Sequence, residues 1–205
     1  DEITFTSGGT ESNNTILFGC PKYQGGEFEQ NHIITSSIEH DAVLEPVRGF
    51  EKYGVHVTYL PVDEHGLVNP DDITKSINEK TTIVSIMFAN NEVGTIQPIK
   101  EISKICSKYQ IPLHTDAVQA VGKVPINVKE LGIDALSISS HKINGPKGIG
   151  ALFIRKGFPV DAQIHGGGQE NGIRSGTENV ASIVGFGKAC EIAKERLNEN
   201  ISHFQ

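Results

Sequence analysis

Lys142 follows Ser139, Ser140 and His141 at the end of the short run Ala135–Ser139, and Asn144, Gly145 and Pro146 come soon after it. A lysine at a strand exit, partly desolvated and preceded by hydroxyl and imidazole donors, suits imine chemistry, which needs a nucleophilic amine. Asp116 closes a second short run, Leu113–Asp116, with Gln119 three residues on. A carboxylate there is placed to pair with a cationic ring nitrogen. His40 stands in Ser36-Ser37-Ile38-Glu39-His40-Asp41, where an apolar run ends and a helical pattern begins. An imidazole at such a point stacks or moves protons, with a surface or capping histidine as the plain structural alternative. Asn90 and Asn91 follow the apolar run ending at Ala89; they read equally as fixed donors to a ligand or as an asparagine turn. The stretch Thr6-Ser7-Gly8-Gly9-Thr10-Glu11 has the small residues of a helix start that cradles phosphate through free amides. Ordinary capping explains such a stretch as well, and the spacing is not that of a dinucleotide fingerprint or a P-loop.

These residues sit where elements meet. Ile3–Thr6, His32–Thr35, Val55–Leu60, Thr82–Ala89, Leu113–Asp116, Ala135–Ser139 and Ala151–Arg155 have the β-branched, apolar character of strands. The segments between them have helical spacing, as in Ile99, Ile102, Ile105 and Cys106, with Pro98 suited to a first turn. The alternation predicts an α/β fold, a mostly parallel sheet with helices on both faces. In such sheets ligands bind beyond the carboxyl ends of the strands, where every residue above is found.

The composition fits small-molecule chemistry. With 205 residues, 37% hydrophobic and 21% charged, the chain is long enough for one principal domain with a buried core. A net charge of -7 disfavours a broad grip on nucleic acid phosphates, and no apolar run reaches membrane-spanning length. Cys20, Cys106 and Cys190 are odd in number and widely spaced, which speaks for a reducing, cytoplasmic setting and against a disulfide framework or zinc site. Cys106 and Cys190 fall on the apolar sides of helical patterns, where free cysteine acts as a small hydrophobe.

The ordering of the motifs is more specific than any one of them. TSGGTESNN, SSIEHDAV, ANNEVGTIQPI, HTDAVQAVGK, SSHKINGPKGIGAL and GGGQENGIRSGTEN occur in sequence from Thr6 to Asn179. In this order they resemble the class V aminotransferases, and within them the cysteine desulfurases of the nitrogen-fixation and iron–sulfur assembly type. The resemblance implies a fold-type I large domain that binds pyridoxal 5'-phosphate, with Lys142 holding the cofactor covalently and Asp116 facing its ring nitrogen. Gln119 matches the donor to the phenolic oxygen, and His40 the imidazole stacked on the ring. Gly9, Thr10, Ser139 and His141 match phosphate ligands, Asn91 the amide beside the phenolic oxygen and substrate carboxylate, and Thr177 a phosphate ligand supplied across a homodimer interface.

It implies further that residues 1–205 are the cofactor-binding core of a longer protein, with an N-terminal segment and a small C-terminal domain beyond them. The substrate would be L-cysteine, and the sulfur would pass as a persulfide to a cysteine outside this chain and on to an iron–sulfur scaffold or other acceptor protein. Selenocysteine lyases and transaminating relatives share the motifs, and a non-catalytic cofactor- or partner-binding relative is a further reading. His165-Gly166-Gly167-Gly168 resembles a lipase oxyanion stretch, but no G-x-S-x-G elbow follows it.

Overall fold

The computed structural model describes residues 2–20 and 31–204; Pro21, next to Cys20, lies outside them. Within these residues the strands are β1 Ile3–Thr6, β2 His32–Ser36, β3 His56–Leu60, β4 Thr81–Ser85, β5 Leu113–Asp116, β6 Ala135–Ser139 and β7 Gly150–Ile154. They form one sheet in the order β1-β7-β6-β5-β4-β2-β3. Strands β2, β4 and β7 are buried along their whole length, which explains why, His32 aside, their sequences are apolar or hydroxyl-bearing without alternation. The pairs from β3 through β2, β4 and β5 to β6 are parallel, as the alternation predicts.

The departure is β7, which runs antiparallel to both β6 and β1. Its reversal leaves β1 parallel in direction to β6, so the exit of β1 and the exits of β2, β4, β5 and β6 share one edge of the sheet. The predicted run Thr82–Ala89 also ends early as a strand, at Ser85. Its buried continuation stays beside β5 through Ile86 N–H to His114 O (3.2 Å) and Phe88 N–H to Asp116 O (2.8 Å), then folds back so that Gln97 N–H donates to Phe88 O.

Helices α1 Gly9–Gly19, α2 Asp41–Glu51, α3 Pro70–Ser76, α4 Ile99–Tyr109, α5 Val128–Leu131, α6 Val180–Glu195 and α7 Leu197–Phe204 cover the sheet. Alternate strand residues point to opposite faces, so Ile34, Val84 and Leu136 pack with Ile73, Ile99, Ile102 and Cys106 of α3 and α4. Their neighbours Ile33, Ile83 and Ala135 pack instead with Ile16 and Leu17 of α1 and Val43, Val47 and Phe50 of α2. Helices therefore lie on both faces, and full burial of each such aliphatic side chain contributes about 1.5–3 kcal/mol. Pro98 caps α4 rather than opening its first turn. Cys20 and Cys106 are buried, but Cys190 is exposed, against the expectation from its helical pattern. On α6, Phe186 and Ala189 are buried with Ile143 and Ile149, while Cys190, the next residue, borders an open apolar depression.

The middle of the sheet holds a polar insert. His114 of β5 is fully buried, with Nδ1 2.8 Å from Ser85 Oγ of β4 and Nε2 2.9 Å from Ser137 Oγ of β6. Burial pushes its pKa down to about 3, so the folded state keeps it neutral. A group whose folded pKa is depressed stabilises the fold above its unfolded value near 6.5, and this contribution drains away as pH falls from there through about 3. We expect the unfolding free energy to fall from this group with a slope approaching 1.4 kcal/mol per pH unit below pH 6, as read by denaturant titration. The non-titrating variant His114→Gln should be less stable at pH 7, with the gap closing towards pH 4. Parallel curves for the two proteins would remove His114 as the acid-sensitive group.

Candidate active site

The shared edge of strand exits opens into a solvent-connected cavity of about 180 Å³. Its floor begins at Asp116, which ends β5 and is only 6% exposed. Asn13 of α1 donates through Nδ2 to Asp116 Oδ2 at 2.6 Å, and Val118 N–H donates to Oδ1 at 2.9 Å. These bonds aim the carboxylate and do not cancel its burial. The Asp116 pKa is raised by desolvation, against the opposing pull of the Val118 and Asn13 hydrogen bonds and of the His40 and Lys142 charges. A cationic N–H opposite Asp116 would return the carboxylate to its charged form.

The start of α1 forms one wall. A side chain on residue 9 would meet Val118 Cγ2 at 2.6 Å, so only glycine lets this helix start come so close to the exit of β5. No side chain caps α1, whereas His40, Asn69, Asn127 and Asn179 cap α2, α3, α5 and α6. Gly9 and Thr10 therefore begin a helix whose uncapped start borders the cavity beside Ser139 and His141, and free amides at a helix start suit an anion. Ser139 Oγ lies 2.8 Å from His141 Nδ1. Desolvation and the ammonium groups of Lys142 and Lys147 hold His141 below the ordinary imidazole range.

Lys142 lines the cavity from the 3-10 turn Ser140–Ile143, directly after β6. The expectation of partial desolvation is not met, because that turn carries Lys142 past the sheet edge and leaves it exposed. His40 meets its structural reading and stands where the other would need it. It caps α2, with Nδ1 accepting from Ala42 N–H at 3.0 Å, and it lines the cavity. Since a backbone amide only donates, Nδ1 carries no proton in this arrangement and Nε2 carries one. The asparagine pair divides its two readings between neighbours. Asn90 builds the turn, its Oδ1 accepting from Glu92 and Val93 N–H and its Nδ2 donating to Ile38 O, while exposed Asn91 faces the cavity. Gln119 also lines it.

Thr177 is not brought to this cavity. It is exposed and borders a separate depression with Ser7, Arg174 and Gly176. That segment is clasped to α1 by Arg174, whose Nε lies 2.7 Å from Glu11 Oε1. Against burial, which pushes it up, Arg174 and Ser7 hold the Glu11 carboxyl below its usual range. The His165–Gly168 stretch lies apart from the cavity, with Gly168 N–H donating to Ser175 Oγ.

Two contributors were missed in the sequence. Asn13 is one helical turn from Gly9, so the i, i+4 spacing placed it on the same face. Glu39 had no such signal. It is buried, and its Oε1 accepts from Ser36 Oγ at 2.7 Å and from Met87 N–H at 2.8 Å. It thereby ties the turn bearing His40 to the segment after β4.

Comparison with known proteins agrees with this architecture. A solved NifS-like protein superposes with a TM-score of 0.91 at 48% identity, covering 97% of this chain and 54% of the other. A structure titled SspA in complex with cysteine superposes at 0.88 with 44% identity, covering 93% and 55%. The class defined by this sheet is that of the fold-type I pyridoxal-phosphate enzymes. Within it, the chain belongs to the aminotransferase class-V family, which matches residues 1–203. It is similar to the cysteine desulfurase IscS of Dictyoglomus turgidum, 57% identical over 98% of this chain and 50% of the relative. It is also similar to a mitochondrial cysteine desulfurase of Candida albicans, 50% identical over 100% of this chain and 42% of the relative. The chain thus spans about half the length of these relatives or less.

Glu39 has a measurable signature. Its pKa is pushed up to about 8, by burial first and by the nearby Asp116 charge, against the Ser36 and Met87 hydrogen bonds. A raised folded pKa stabilises fully below the unfolded value of about 4.5, and the contribution is lost as pH rises through about 8. Glu39→Gln keeps the acceptor atom and cannot ionise. We expect the wild-type advantage in melting temperature over this variant to shrink steadily from pH 5 to pH 9. A gap that is constant or widens would show that Glu39 is ionised in the fold at neutral pH.

Proposed function

We propose that this chain is the cofactor-binding core of a pyridoxal 5'-phosphate-dependent cysteine desulfurase, which converts L-cysteine to L-alanine and passes the sulfur on as a persulfide. The observation that carries the reading is the convergence on one cavity of Lys142, a buried Asp116 with no cationic partner in contact among the described residues, and the uncapped start of α1. These three features fit the aldehyde, ring nitrogen and phosphate of that cofactor. Relatives named as cysteine desulfurases, and a similar structure titled as a complex with cysteine, support the substrate.

In this reading the Gly9 and Thr10 amides, with Ser139 and His141, take the phosphate. Asp116, held in orientation by Asn13 and Val118, keeps a proton on the ring nitrogen. Lys142 would hold the cofactor covalently and, as a free amine, would move protons at the substrate. When bound, the cofactor supplies an electron sink for the bonds at the substrate α-carbon. His40 would lie against the ring, and its Nε2 would be the nitrogen that exchanges protons, because Nδ1 is engaged by Ala42 N–H. Asn91 and Gln119 act at the phenolic oxygen, with Asn91 also beside the substrate carboxylate.

The sulfur-accepting cysteine is proposed to lie outside this chain. Burial of Cys20 and Cys106 supports this, and the Cys106 thiol is pushed up to about 12 by that burial. The thiolate is the reactive form, and burial raises Cys190 as well. The acceptor of the sulfur is proposed to be an iron–sulfur scaffold or related carrier protein. A cytoplasmic setting is proposed with it; among the described residues no helix is long and apolar enough to cross a membrane.

The covalent link is tested on the full-length polypeptide loaded with cofactor. Borohydride reduction and peptide mapping should place the pyridoxyl label on Lys142. Label on Lys147 or Lys123 would sink the assignment. A homodimer is proposed because Thr177, outside the cavity of its own chain, would reach the phosphate of a neighbouring subunit. Mixing inactive Lys142→Ala and Thr177→Ala subunits should restore one working site per mixed dimer, about a quarter of wild-type activity per subunit pool if exchange is random and Thr177 is indispensable. No restoration would mean that each site is built from one chain.

A further inference from the structure

Gln119 borders the cavity with a side-chain amide whose two ends have opposite character. The carbonyl oxygen only accepts, and the NH₂ only donates. Which end faces a ligand decides what ligand atom is welcome there, and Gln119 alone leaves that choice open. Lys123 closes it. Residues 117–124 run in overlapping helical turns, with Val121 N–H donating to Ala117 O and Val124 N–H to Ala120 O, both at 3.0 Å. Such turns bring residues four apart onto one face, and Lys123 Nζ donates to Gln119 Oε1 at 2.9 Å. An ammonium has three donors and no acceptor, so it binds only the oxygen end of the amide. The Gln119 Nε2 hydrogens are then left for the cavity.

We propose that Lys123 is a positioning residue, which locks the Gln119 amide with its Nε2 donors towards the cavity and so selects an anionic oxygen of the ligand at that place. The inference rests on the pyridoxal-phosphate reading, in which that atom is the phenolic oxygen. Rotated by half a turn, the same amide would present an oxygen to an anionic oxygen. Lys123 is half-buried and does not itself line the cavity. Burial first, then the charge of Lys142, holds the Lys123 pKa below its usual range. The ionisable groups around the same cavity are Asp116 on the floor and His40, His141 and Lys142 at the rim.

The readout is the absorbance titration of the bound cofactor, which follows its protonation without turnover. A donor to the phenolic oxygen favours the anionic oxygen and weakens its hold on the neighbouring proton, so losing that donor moves the titration midpoint to higher pH. Lys123→Met keeps the aliphatic stem and removes the donor. Its midpoint should rise by on the order of one pH unit, and Lys123→Arg, which also donates without accepting, should restore it. Removing the Lys123 charge alone would also raise the midpoint, so the double-mutant cycle with Gln119→Ala decides. If Lys123 acts through the amide, Lys123→Met adds little to the shift already present in Gln119→Ala. Additive shifts, or a Lys123→Met midpoint equal to wild type, would overturn the proposal. Absence of covalently held cofactor in the unaltered full-length protein would instead overturn the reading on which it rests.

Discussion

A carboxylate buried at the end of a central strand is the constraint to which the neighbouring elements answer. Asp116 is buried where it stands, and among the described residues it has two side-chain-directed hydrogen bonds and no salt-bridge partner. A buried carboxylate in that position stays charged only if a cation approaches from the open side. Asn13 must then come from α1 to orient it, which requires α1 to pack close to the exit of β5. That approach in turn requires glycine at residue 9. One unsatisfied charge thus connects the first helix, the fifth strand and the chemistry between them.

The edge on which this occurs is polar because so many strands release their chains there. Among the described strands only β7 runs the other way, so the start of α1 and the exits of β4, β5 and β6 fall on one edge. Around the floor, hydrogen bonds that look merely structural hold the polar rim. Glu39 joins Ser36 to Met87, Asn90 joins the post-β4 turn to Ile38, and His40 caps α2 while facing the cavity. Structural and ligand-facing roles are therefore shared by the same or adjacent residues, since a polar group at a strand exit must satisfy backbone amides as well as a ligand.

Much of this was legible beforehand. Short β-branched runs separated by helical spacing identify an α/β sheet, because burial on both faces removes alternation and leaves apolar strands. The motifs placed Lys142, Asp116, Gln119 and His40 just after those runs, where such sheets bind ligands. Less legible were the ends and directions of elements. The run to Ala89 keeps its burial after its strand ends, since hydrogen bonds to β5 continue past Ser85 while the backbone leaves strand geometry. The antiparallel course of β7 has no local signature, because its burial pattern is that of any central strand. Cys190 shares the helical spacing of buried positions and is exposed, since the width of the buried stripe on α6 depends on what packs against it.

By itself, then, the sequence determined which residue types stand at strand exits and the period of each element, for these depend on neighbours a few positions away. Tertiary structure alone decided the rest: that Asn13 reaches Asp116 across 103 positions, that Glu39 bridges to Met87 across 48, and that Thr177 stays outside the cavity of its own chain. Contacts of that separation depend on strand order and helix placement, which follow from how the whole set of apolar faces is buried together. No local pattern encodes them, because a polar side chain reads the same in sequence whether it meets water, a backbone amide or a buried carboxylate.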